Sequence, residues 1–336
     1  MKIVLDAMGG DFGPEPNVEA AVMTAREFGY EVVLVGKQDQ IRPLLVKHNT
    51  AGLTLPIVHA SEVIEMHEHP ASAVKSKKDS SIVVGLQMVK RGEADAFVTM
   101  GNTGGALAGA LLNLGRIKGI HRPALTAQLP NLKGWSLMVD VGANAVCKPE
   151  YLVQFALMGS VYAERVLGKR NPSVALISNG EEETKGNDLV QEVHQLLKRT
   201  SLNFIGNAEG RHVPMGYADV YVTDGFTGNV MLKLMEGMKT FFTTLLKNAA
   251  TTDVRSKVGG LLLKPSITKT LKGLDYEEVG GAPLLGVDGV VVIGHGRSNA
   301  RAIYSALKVA ANCVENRVIE TIEKGLEAMP KADVTN

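Results

Sequence analysis

Six times along this chain a short apolar run stops at a glycine-rich polar turn, and a helical pattern follows. "MKIVLDAMGGDFGP" opens the series. "DAFVTMGNTGGALAGALLNL" places a strand at 96–99, a turn at 100–105 and a helix from about 106. "WSLMVDVGANAV" gives a strand at 136–141, then Gly142 and Asn144. "SVALISNGEEETKGNDLVQEVHQLLK" gives a strand at 173–177, a charged turn, and a helix capped near Asn187 or Asp188. "DVYVTDGFTGNVMLKLM" runs from a strand at 219–222 into another such turn. "GVVVIGHGRSNARAIYSAL" closes the series with a strand at 290–293 and a helix from about 298.

The strands are continuous apolar runs rather than alternating ones, the pattern of strands covered on both faces. Helices between them favour βαβ units and a parallel sheet. Ligands in such folds usually sit beyond the carboxyl ends of the strands. The glycine turns are therefore expected to converge on one edge. No low-complexity linker divides the 336 residues. The chain reads as one α/β catalytic domain over 1–330, with a helical appendage at about 230–274 and a flexible tail at 331–336.

Charge and cysteine content narrow the function. A formal net charge of +1 gives no global attraction to nucleic acid. Cys147 and Cys313 stand far apart, so a disulfide scaffold is not indicated and a reduced cytosolic setting fits best. "MKIVLD" meets Asp6 too early for a secretory signal. No run approaches the roughly 20 apolar residues of a spanning helix.

The motifs "LDAMGGDFGP", "MGNTGG", "VDVGAN", "NGEEETKGND", "TDGFTGNV" and "GHGRSN", in this order, resemble the bacterial phosphate acyltransferases of phospholipid synthesis. The resemblance runs over about residues 1–325. It implies transfer of a long acyl chain from an acyl carrier protein thioester to inorganic phosphate, giving an acyl phosphate. It implies a Rossmann-like three-layer α/β/α sandwich similar to isocitrate and isopropylmalate dehydrogenases and to phosphotransacetylase. It also implies a homodimer, loosely associated with the inner face of the membrane, and it requires no metal or other cofactor.

Direct attack by phosphate needs an anion site and donors for the developing oxyanion, not a protein nucleophile. Backbone N–H groups in glycine turns and at helix starts suit anions, and Asn and Thr add neutral donors. The first turn offers Asp6, Gly9 and Gly10. "GNTGG" offers Asn102, Thr103 and Gly104, and the third turn Asn144. The charged turn offers Asn187, and "TDGFTGN" offers Asp224, Gly225, Thr227 and Gly228. The catalytic candidates are Lys185, a point charge for phosphate; Asn229; and His295, a donor to the carbonyl or the leaving sulfur. Glu181, Glu182 and Glu183 would keep Lys185 ionised. Ser298 contacts anions or caps the next helix. Lys75, Lys77 and Lys78 read as phosphate or carrier contacts, or as a solvated helix start. Cys147 lacks a recognisable activating partner and is read as packing.

Two other classes stay open. One is a metal- and NAD-dependent dehydrogenase of the isopropylmalate type. "MGGDFGP" lacks the dinucleotide spacing, and Pro14 and Pro16 are expected to disturb the helix it needs. The other is a non-enzymatic peripheral membrane scaffold.

The appendage carries seven basic residues between Lys239 and Lys272 against one acid, Asp253. Val254, Val258, Leu261 and Leu262 make an amphipathic pattern with Lys257 and Lys264 beside it, and Pro265 is expected to end the helix. An anionic bilayer, the acyl carrier protein or a dimer partner would each fit this stretch.

Overall fold

The computed structural model describes residues 1–272 and 280–329; the end of the expected appendage and the expected tail lie outside them. In chain order the strands are β1 (Lys2–Asp6), β2 (Glu31–Gly36), β3 (Ile57–His59), β4 (Ala96–Thr99), β5 (Ala124–Asn131) and β6 (Gly134–Val139). They continue with β7 (Val174–Ile177), β8 (Phe204–Ala208), β9 (Val220–Val222), β10 (Ala282–Leu285) and β11 (Val290–Ile293). All eleven join in one sheet, ordered β3-β2-β1-β4-β11-β10-β5-β6-β9-β7-β8. Five strands from β3 to β11 run parallel, as do the four from β6 to β8. Between these halves β10 is antiparallel to both neighbours, and β5 is antiparallel to β6.

Both faces are covered. In β1, Ile3 and Leu5 enter one core while Val4 enters another. In β9, Val220 and Val222 face that first core and Tyr221 the opposite side. Helices α1 (Pro14–Phe28), α6 (Pro149–Arg165), α7 (Asp188–Leu197), α10 (Ala300–Glu315) and α11 (Val318–Ala328) supply the first core. Helices α3 (Pro70–Ser76), α4 (Ser81–Lys90) and α5 (Thr103–Asn113) cover the other face of the first half. The start of α8 (Gly225–Ala249) packs there in the second half, through Met231, Leu232 and Met235. The short α2 (Gln38–Val46) follows β2. Each fully buried aliphatic side chain contributes about 1.5–3 kcal/mol by leaving water.

Three local expectations change. Pro14 opens α1 and Pro16 lies in its first turn, where no intrahelical N–H is needed, so the helix forms around them. Helix α5 starts at Thr103, earlier than about 106, because the Asn102 side chain accepts the Gly105 N–H at 2.9 Å and caps it. Helix α9 (Val254–Lys272) runs through Pro265 instead of stopping there. A proline removes one backbone donor and kinks a helix without always ending it.

Candidate active site

The reversal at β10, β5 and β6 divides the glycine turns. The carboxyl ends of the two parallel halves point in opposite senses along the ladder, so the turns form two clusters of three rather than one. The turns after β1, β4 and β11 leave adjacent parallel strands of the first half, and those after β6, β9 and β7 leave adjacent strands of the second.

In the first cluster Asp6 is 1% exposed. Its carboxylate accepts from the Thr99 hydroxyl at 2.7 Å and the Met8 N–H at 3.1 Å. Burial pushes this carboxyl up, and the Thr99 hydrogen bond offsets part of that. Asp6 is thus an internal clamp, shielded from any ligand. Gly9 allows the β1 turn to lie on the β4 turn: a Cβ there would sit 2.7 Å from the Gly101 nitrogen. Gly10, at φ 100°, lies beside the Gly296 carbonyl, which accepts the Asp11 N–H at 2.7 Å. Asn102 caps α5 with its oxygen, and its amide donates to the carbonyls of Glu65 and Met66 at 3.0 and 3.2 Å. Gly104 faces Pro70. The segment around 65–70 therefore covers the start of α5, where Thr103 is the first residue.

His295 is exposed in the turn after β11. Its Nδ1 accepts the Arg297 N–H at 3.2 Å, which places the proton of the neutral ring on Nε2. Ser298 is buried, and its N–H bonds the His295 carbonyl. Arg297 lies 3.9 Å from Asp11. Lys77 is engaged by Val63 O and Glu68, whereas Lys75 and Lys78 are exposed.

In the second cluster Asp140 is fully buried. One oxygen accepts N–H groups from Leu125, Gly142 and Ala143 at 3.0–3.1 Å. The other accepts the Asn144 N–H at 2.7 Å and its side-chain amide at 2.9 Å. Five donors suit an acceptor-only carboxylate. Burial pushes Asp140 up, and these bonds pull it back. The Asn144 amide also reaches Pro123 O at 2.7 Å, so it is held inside the protein.

Helix α8 starts on this turn. The Gly225 N–H donates to Asn144 O at 2.7 Å. Asp224 caps the helix, accepting the Thr227 N–H at 2.9 Å and its hydroxyl at 2.8 Å. A Cβ on Gly228 would lie 1.9 Å from Asp140 O. Asn229 is exposed beside Gly142, and its amide has no partner among the described residues. Lys185, exposed in the turn after β7, folds over Gly180, and its ammonium likewise has no partner among the described residues. Two of the three glutamates expected to support Lys185 are engaged elsewhere, Glu181 with Arg211 and His212 and Glu183 with Lys198, while the Glu182 carbonyl accepts the Lys185 N–H at 3.0 Å. Asn187 caps α7 through the Val190 N–H at 3.0 Å. The structure thus brings Lys185 and Asn229 to one edge and sets His295 in the other cluster.

Asp140 was missed as a site residue, although a signal was present. Val98–Gly104 and Val222–Gly228 both read V-T-x-G-x-T-G, and each begins at the end of a strand paired in parallel with one that ends at, or one residue before, a buried aspartate, Asp6 or Asp140. Among the described residues no group of three His, Cys, Asp or Glu side chains is arranged to hold a metal ion. The Cys147 thiol is pushed up to about 12 by burial and then by Asp140 and Asp224, which leaves it without thiolate character at neutral pH.

Architecture and turns together define a mixed α/β protein with a single eleven-stranded sheet and helices on both faces. The solved phosphotransacetylase of Streptococcus pyogenes matches with a TM-score of 0.63 at 20% identity, over 94% of each chain. A 4-hydroxythreonine-4-phosphate dehydrogenase of Klebsiella pneumoniae matches at 0.55 and 13% identity, over 94% of this chain and 99% of that one. These similarities establish the fold. Residues 1–321 match the family described as fatty acid synthesis protein. Phosphate acyltransferases of Desulfitobacterium hafniense strain Y51 and Dictyoglomus turgidum are each 51% identical, over 97% of this chain and 97% and 98% of theirs. The chain belongs to the phosphate acyltransferase family. Its activity is acyl transfer to phosphate in phospholipid synthesis, and this sets the dehydrogenase reading aside.

Proposed function

We propose that the acyl donor is an acyl carrier protein thioester and that phosphate attacks its carbonyl directly. The observation that carries this reading is the edge formed by the turns after β6, β9 and β7. There the Lys185 ammonium and the Asn229 amide stand without partners beside the start of α8. Lys185 holds phosphate as a point charge, and Asn229 donates to phosphate or to the oxyanion. The glycines of the α8 turn allow close approach. His295 stands in the other cluster, beyond strands that end in the opposite sense, and is assigned no step at this edge. The high Cys147 pKa, about 12, agrees with a path that has no acyl-enzyme.

The same reading extends to the surroundings. Helix α8 exposes Phe226, Val230, Leu234, Phe241 and Leu245 along its length, a row that a second copy of the chain would cover. In α9, Val254, Val258, Leu261 and Leu262 are all more than half exposed, beside Lys257 and Lys264. This face suits shallow insertion into the anionic inner leaflet of a cytoplasmic membrane. Among the described residues no helix is long and apolar enough to cross a membrane. The kinship with isocitrate and isopropylmalate dehydrogenases belongs to this proposal and rests on the sequence resemblance.

The test is incubation with acyl-loaded carrier and phosphate, without metal or nucleotide. Hydroxylamine traps the acyl phosphate, and a thiol reagent follows the freed carrier. Phosphate-dependent formation of both supports the reading. Folded protein that releases no thiol from a verified carrier overturns it.

A further inference from the structure

Asp140 is a buried charge that the reaction as described does not use. Three successive backbone N–H groups, from Gly142, Ala143 and Asn144, point at its carboxylate, with Leu125 N–H and the Asn144 amide completing the set. Such a run of N–H groups is an anion nest. Here the protein fills the nest with its own carboxylate. The filled turn is also the seat of α8. Asn144 O receives the Gly225 N–H, and a Cβ on Gly225 would lie 2.7 Å from the Asp140 carboxylate. Gly228 rests on the Asp140 carbonyl, and the Asn229 amide lies against Gly142.

The first half holds the same device in a closed form. Asp6 clamps the turn there, but the segment around 65–70 covers the helix start through Asn102 and Pro70. The second half leaves an exposed amide, that of Asn229, beside the clamped turn.

We infer that Asp140 is a positioning residue for phosphate: by filling the 142–144 nest it fixes the first turn of α8 and the Asn229 amide. This rests on the assignment of Asn229 to phosphate. In Asp140→Asn the carboxylate oxygen facing Asn144 is replaced by an N–H donor, or the three N–H groups on the other side lose their acceptor. Either arrangement opposes donor to donor in a buried place and loosens the seat of α8.

The experiment compares phosphate KM, carrier KM and kcat for four folded variants of the full chain. Asp140→Asn is expected to raise the phosphate KM by at least about tenfold while the carrier KM stays within about twofold. Gly225→Ala removes no charge but pushes on the same carboxylate, and should give the same split. Asp219→Asn is the structural control. Asp219 accepts from the Ser173 N–H and hydroxyl beside Val220, where β9 begins, so its loss should lower stability without moving the phosphate KM. Unchanged phosphate KM in Gly225→Ala and in any folded Asp140→Asn overturns the positioning role, and so does an equal shift in Asp219→Asn. If Asp140→Asn does not fold, Gly225→Ala decides alone. An unchanged phosphate KM in Asn229→Ala removes the site assignment itself, and the inference falls with it.

Discussion

Gly228→Ala puts a single methyl group at the tightest point of the site. Its Cβ would lie 1.9 Å from Asp140 O and 3.0 Å from Thr223 Cγ2. Ordinary contact begins near 3.4 Å, so about 1.5 Å must be found. The nearer atom is backbone, pinned by the Asp140 N–H bond to Thr223 O at 3.1 Å. The start of α8 therefore moves rather than the turn. Overpacking of this kind costs about 1–3 kcal/mol, which for a domain of this size is a fall in Tm of roughly 1–4 °C. A shift of about 1 Å in aligned donors costs on the order of 10²-fold in rate. The assay pairs a thermal melt with carrier thiol release at saturating acyl carrier and varied phosphate. A folded Gly228→Ala variant with wild-type kinetics would show that the α8 start is not part of the site, and the geometric reasoning would fail.

Other consequences follow from the same structure. Cys147→Ala should keep near wild-type turnover, and intact protein should resist iodoacetamide at Cys147 near neutral pH; strong labelling there would contradict a thiol at about 12. Leu261→Glu should reduce sedimentation with anionic vesicles while turnover on soluble acyl carrier persists; lost turnover in a folded variant would point to carrier docking instead. His295→Gln should leave turnover near wild type with an unchanged melting temperature, since His295 stands in the other cluster from Lys185 and Asn229; a large loss of kcat would show that both clusters serve one site. Asp219 has a pH signature: burial pushes its carboxyl up, but Ser173 and Lys169 outweigh this and hold it below the ordinary value. A depressed carboxyl stabilises the fold above its unfolded pKa of about 3.9 and loses that contribution as pH falls through the lower folded value. Asp219→Asn should therefore melt with less acid sensitivity below about pH 4, and identical pH slopes would refute the assignment.

Much of the fold was legible because each half is built from locally encoded units. The apolar runs at 96–99 and 290–293 coincide with β4 and β11, and the glycine turns do link strands to helices. The antiparallel seam was not legible. "APLL" at β10 and "ALTAQLPN" at β5 are not followed by helices, and they pair residues far apart in sequence, Leu284 with Leu125. Without that seam the six turns looked like one edge. At the site, residue types in the turns showed donors but not which way they face. Asn102, Asn144 and Asp224 turn inward to cap and clamp, while Asn229 and Lys185 turn out. That direction depends on neighbours distant in sequence, such as Pro123 for Asn144 and Glu65 for Asn102.

The central claim is direct attack by phosphate with no acylated protein on the path. The measurement is a rapid mix of stoichiometric protein with acyl-loaded carrier, first without phosphate, following carrier thiol release and the mass of the protein. The account predicts no thiol burst and an unmodified protein until phosphate is added, then thiol and acyl phosphate in equal amounts. A burst of thiol in the absence of phosphate, with an acyl group added to the protein mass, would contradict it.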